Sequence, residues 1–140
     1  MSDAPSLHAP SLYGQVRERF GPRAAAYLNS AVHAQGPEFA ALRAAVEAQP
    51  AARVLDLGCG GVESLPFADG QFDVVLSRYS AHHWADPARA LAEARRVLRA
   101  GGQFVLVDVA SPGVALLDTH LQALEVLRDR SHVRDYSAAE

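Results

Sequence analysis

The sequence predicts an α/β fold: a parallel sheet flanked by helices, with about three central strands. Three apolar runs carry that expectation, at residues 53–57, 72–77 and 103–109. The last two are separated by a helix-periodic segment, residues 87–99. The first run closes in glycines, Gly58, Gly60 and Gly61, as a strand does when it feeds a ligand loop.

The elements follow in order. Residues 12–19 and 22–29 read as two short helices split by Gly21-Pro22, with Pro22 suited to a first helical turn. Residues 38–48 form a stronger helix, with Phe39, Leu42 and Val46 at helical spacing, stopped by Gln49-Pro50. The 53–57 run is a buried strand, and 64–70 a loop ending in the turn Asp69-Gly70. Residues 72–77 are a second buried strand. Asp86 is a good N-cap before Pro87, and Gly101-Gly102 supplies the C-cap of the 87–99 helix. Residues 103–109 are a third buried strand. Residues 116–130 form a last helix, whose leucines are expected in the core or as substrate-side cover. The whole is expected to be one domain, with 1–50 a helical cover and 51–140 the sheet core and final helix.

Composition narrows the function. The 140 residues carry 13 basic and 16 acidic side chains, net charge −3, so no polycationic nucleic-acid or membrane-surface binder is expected. Hydrophobic residues make up 49% of the chain, enough for a core. Every basic residue is arginine, which removes Schiff-base and P-loop lysine chemistry. The single cysteine allows neither an intrachain disulfide nor a thiolate zinc site. Residues 1–10 lack the pattern of a signal peptide, and no apolar run approaches the roughly 18 residues of a membrane span. A cytoplasmic protein is therefore expected.

The sharpest motif is Val54-Leu55-Asp56-Leu57-Gly58-Cys59-Gly60-Gly61. It is not a dinucleotide fingerprint, because Glu63 stands where the third glycine belongs. Asp56 just before the glycines would repel a pyrophosphate and suit a ligand amino group. This stretch resembles motif I of the class I S-adenosylmethionine-dependent methyltransferases. Three further stretches resemble the ubiquinone/menaquinone-type branch: residues 63–75, the helix and glycine turn at 90–102, and the 20–36 cover with Phe20 and Tyr27. The resemblance implies a Rossmann-like sheet and transfer of a methyl group to a small-molecule acceptor. It implies that Asp56, Gly58, Cys59 and Gly60 line the cofactor site. Tyr27 would approach from the cover, Ser77 and Tyr79 would face cofactor and substrate, and His82-His83-Trp84 would sit at the pocket mouth.

The chain departs from that pattern in one large respect. Gly60-Gly61 runs at once into Val62-Glu63-Ser64-Leu65-Pro66, a loop that in the family follows the third strand. The helices and strands between, with their ribose-binding carboxylate, are expected to be absent. Strands beyond the third run are also expected to be missing. The retained strands are the family's adjacent central ones, and the residues from 58 to 71 suffice for a crossover. Bare apolar edges are then expected, with self-association through one of them.

Bland readings stand beside these. Asp56 is either a cofactor carboxylate or a strand-end residue. Cys59 lacks a recognisable base and reads as structural. His82 and His83 are candidate catalytic or pocket-lining residues. No acidic partner has recognisable spacing to them, and neighbours on a helix do not share a face. Glu63 is a candidate replacement for the lost ribose ligand. Arg95, Arg96 and Arg99 read as a solvated helix end. The alternative to an enzyme is a non-catalytic remnant or fragment that binds itself or a partner through sheet edges.

Overall fold

In a computed structural model of the chain, the described residues are 14, 18, 21–23, 30, 36–58, 62 and 64–140. The two expected helices at 12–29 lie almost wholly outside these, apart from a short 3-10 turn at Gly21–Arg23. The remaining elements are α1 (Glu38–Glu47), β1 (Val54–Asp56), β2 (Phe72–Arg78), α2 (Pro87–Val97), β3 (Leu98–Val107) and α3 (Ala115–Arg128). A 3-10 turn, Ala81–His83, follows β2.

The three strands form one sheet in the order β1-β2-β3, and both pairings are parallel. The central strand is the apolar one: Phe72, Val74, Val75 and Ser77 are all buried. Around it packs a cluster of Leu57, Val62, Phe72, Val75, Trp84, Ala90, Ala94 and Val97. The 4- and 3-residue spacing of Ala90, Ala94 and Val97 places one face of α2 in that cluster.

Helix α2 begins as its sequence dictates. Asp86 caps it by accepting from the Arg89 amide at 3.0 Å, and Pro87 opens it. Its end is not the expected one. Leu98, not the glycine pair, is the C-cap residue, with extended backbone, and β3 starts there. The reason is pairing. Leu98 is buried and opposes Phe72, and Arg99 bonds to the Asp73 carboxylate. The ladder then jumps from Phe72↔Leu98 to Val74↔Gln103. Two steps on β2 thus face five on β3, a bulge that bends the strand. Gly101 enters it at φ +73°. A Cβ on Gly102 would lie 2.9 Å from Leu98 Cδ2 and 3.0 Å from two backbone oxygens. The glycines therefore serve the bulge, not the helix end.

Between β1 and β2 the described residues form no helix or strand. Arg96 pins this crossover. Its guanidinium donates to the Leu65 carbonyl (3.0 Å), the Phe67 carbonyl (2.8 Å) and Asp69 (2.7 Å), and pairs with Glu93. Glu93 in turn accepts from the Leu65 amide, and Arg96 pulls its carboxyl down to about 2. So Arg96 is a tether, not part of a solvated helix end, and Arg99 belongs to β3.

Two burial expectations are corrected. Strand β1 is exposed, half-buried and exposed in turn, because β2 is its one neighbour among the described residues. Strand β3 is likewise largely open. Helix α3 has no buried residue: Leu116, Leu117, Leu124 and Leu127 are exposed, so its leucines are not core here.

Candidate functional site

The carboxyl ends of parallel strands are where open α/β sheets place ligands. Here three such ends lie side by side: Asp56–Gly58 after β1, Arg78–Ser80 after β2, and Asp108 after β3. The turn following the central strand clips both edges to itself. On one side, Ser80 Oγ donates to the Leu57 carbonyl at 3.2 Å. On the other, the Asp108 carboxylate accepts from the amides of Ala81 (2.7 Å) and His82 (3.2 Å).

Asp108 also receives His82 Nδ1–H at 2.5 Å. Burial raises the Asp108 carboxyl, but the His82 hydrogen bond and charge and two backbone amides outweigh it and hold it below the usual range. With Nδ1 pinned, the basic nitrogen of His82 is Nε2, the arrangement of a positioned general base.

Tyr79, between the clips, has φ +51°, a left-handed conformation that costs a non-glycine residue roughly 1 kcal/mol or more. Its neighbour Arg78 donates from Nε to Glu38 at 3.0 Å and lies over the rings of Phe39 and Tyr79. Helix α1 is thereby fastened to the end of β2. The Arg78 guanidinium holds the Glu38 carboxyl below its ordinary value.

The expected residues fall out as follows. Asp56 and Gly58 are exposed at the end of β1, and a Cβ on Gly58 would meet nothing within 4 Å among the described residues. Ser77 is fully buried and its hydroxyl is 2.7 Å from Ser80 Oγ. His82, His83 and Trp84 are buried rather than set at an open mouth. The two histidines do meet, with ring centroids 4.2 Å apart on the 3-10 turn. An acidic partner for His82, not expected from spacing, is Asp108. Tyr27, Cys59, Gly60 and Glu63 lie outside the described residues.

Residues missed by the sequence reading come from the chain's last stretch. His83 Nδ1 donates to the Ser131 carbonyl at 2.9 Å, and the His132 ring lies 5.7 Å from that of His82. Asp108 had a usable signal, an acid closing an apolar run as Asp56 does. His132 and its neighbours had none, since their contacts cross 48 positions. Among the described residues no group of three histidine, cysteine or acidic side chains could hold a metal ion.

The profile of a methyltransferase domain matches residues 16–106, more than half of the chain. The chain belongs to the class I S-adenosylmethionine-dependent methyltransferases. This family member is 56% identical over 81 residues to the uncharacterized protein YafE of Escherichia coli K12. Over 81 residues it is 47% identical to the uncharacterized methyltransferase YcgJ of Bacillus subtilis. Each match takes in 58% of this chain, but 39% of YafE and 32% of YcgJ. The chain thus spans about a third of these curated relatives. Among solved structures, a methyltransferase candidate from Bacillus halodurans superposes with TM-score 0.68 at 30% identity. That match covers 74% of this chain and 62% of the other. YcgJ superposes with TM-score 0.55 at 46% identity, over 57% of this chain and 34% of its own. The methyltransferase fold therefore accounts for the parallel sheet.

Proposed function

We propose that this methyltransferase domain moves a methyl group from S-adenosylmethionine to a small-molecule acceptor, in the cytoplasm. The observation that carries the reading is the open end of β1, where exposed Asp56 and Gly58 stand beside the clipped turn of β2. The donor set fits the amino-acid end of the cofactor: Asp56 offers a carboxylate to its ammonium, and Gly58 lets it approach the backbone. By the family resemblance, Cys59, Gly60 and Glu63, which follow in sequence, are proposed to join this site, and Tyr27 to approach it from the N-terminal cover. Bound cofactor supplies an electrophilic methyl group on sulfonium. The chain's part is to hold the acceptor in line with it. His82, backed by Asp108, takes the acceptor's proton on Nε2 where one is lost.

The ribose end fits less well. No strand lies between β1 and β2 among the described residues, so no acid stands at such a strand's end. Weakened affinity, and low or no turnover in this chain alone, are part of the proposal. Photo-crosslinking with methyl-labelled S-adenosylmethionine tests it. The label should map to the peptide containing residues 56–63 and be competed away by S-adenosylhomocysteine. Label confined to other peptides would sink the assignment.

One observation favours a second reading. Among the described residues the outer side of β1 has no paired strand, and Val54 is 36% exposed. Such an edge pairs readily with another chain, so a homodimer joined there is the alternative to a catalytic monomer. Light scattering across a concentration series should give twice the monomer mass if the edge is used. A monomer throughout would exclude it.

A further inference from the structure

The residues after α3 fold back onto the turn that follows β2, and histidines make the joint. Val133 N and Arg134 N both donate to the His82 carbonyl, at 2.7 and 3.2 Å. His83 Nδ1 donates to the Ser131 carbonyl. The rings of His82, His83 and His132 stand close, His83 at 4.2 Å and His132 at 5.7 Å from His82. All three are buried, at 8%, 4% and 7% exposure.

We propose that this histidine row is a proton-operated clasp, closed at neutral pH and opened by acid, that fastens residues 129–137 to the candidate site. The proposal holds whether or not the chain transfers methyl groups.

The charged groups around the row set the sign. His82 faces Asp108 from the end of β3. His83 faces Asp129, whose Oδ1 is occupied by Ser131 N and Oγ at 2.9 and 2.7 Å. His132 donates from Nε2 to Gln122 of α3, with Asp135 at 3.9 Å and Glu125 and Arg128 on the α3 side. The last two are bonded to each other. Three rings thus share a small buried space in which Asp108, Asp129 and Glu125 are engaged, while Asp135 Oδ2 is buried without a hydrogen-bond partner.

Burial pushes both His83 and His132 below their ordinary value. An imidazole in an opened segment titrates near 6.5. The open form therefore binds more protons than the closed one as pH falls through about 6.5, and acid favours opening. Asp135 works in the other direction. Burial raises its carboxyl, so protonation there favours closure and opposes the two imidazoles. Each unit of imidazole lowering contributes up to about tenfold to the open population.

Hydrogen exchange of the full chain reads the clasp directly, after correction for the intrinsic pH dependence of exchange. Between about pH 7.5 and 5.5, Val133 and Arg134 amides should lose protection by about tenfold or more. The Tyr79 amide, bonded to Val107 O within the sheet, should hold. A His83→Gln/His132→Gln double variant should flatten the response, while His120→Gln, on the exposed face of α3, should leave it unchanged. If the double variant does not fold, the wild-type comparison still decides, supported by emission from Trp84, the chain's one tryptophan, which follows His83 in sequence. Constant protection at Val133 and Arg134 would overturn the proposal. So would loss of Tyr79 protection in step with them, or a full response in a folded double variant.

Discussion

Asp108 accepts four hydrogen bonds with two oxygens, from Ala81 N, His82 N, His82 Nδ1 and its neighbour Val109 N. Replacing it with asparagine removes the charge and strands at least one donor in a half-buried place. We expect Asp108→Asn to cost about 1–3 kcal/mol in urea unfolding at pH 7. Its carboxyl is held low in the folded chain, so its contribution is present above the unfolded value and disappears as pH falls. The penalty should therefore fade below about pH 4, and a penalty independent of pH would refute the charge-assisted role. At this scale the sequence was half legible. Asp56 could be singled out because glycines follow it. The partner of His82 could not, since the two meet across 26 positions through strand adjacency rather than spacing.

Strands and helices were more readable than their ends. The parallel pairing, α1 and the N-terminus of α2 follow from apolar runs, an N-cap and a proline, and the order β1-β2-β3 from the family resemblance. The junction of α2 and β3 did not, because Gly101-Gly102 satisfies the signal for a helix end as well as that for a bulge. Tertiary pairing of Leu98 with Phe72 decided between them. Nor could runs of apolar residues reveal that β1 is exposed, since burial depends on a neighbour and not on the strand itself. Two glycine substitutions separate fold from site. Gly102→Ala forces a Cβ against the Asp73 and Arg99 carbonyls and should cost about 1–3 kcal/mol. Gly58→Ala meets open space among the described residues and has no positive φ, so it should leave thermal stability nearly unchanged while weakening cofactor binding. Equal effects of the two on stability would contradict this division of labour.

At the scale of the molecule, the described residues present a three-stranded sheet with a clipped carboxyl edge, two open strands and a helix, α3, with exposed leucines. No described helix is long and apolar enough to cross a membrane. The match to about a third of the length of YafE and YcgJ makes cofactor binding by this chain the central question. Titration calorimetry with S-adenosylmethionine and S-adenosylhomocysteine answers it most directly, using folded wild-type chain and Asp56→Ala. The account predicts micromolar or weaker binding, roughly −8 kcal/mol at best, abolished by Asp56→Ala with unchanged thermal stability. No binding by folded wild-type chain, or binding undiminished in Asp56→Ala, would contradict it.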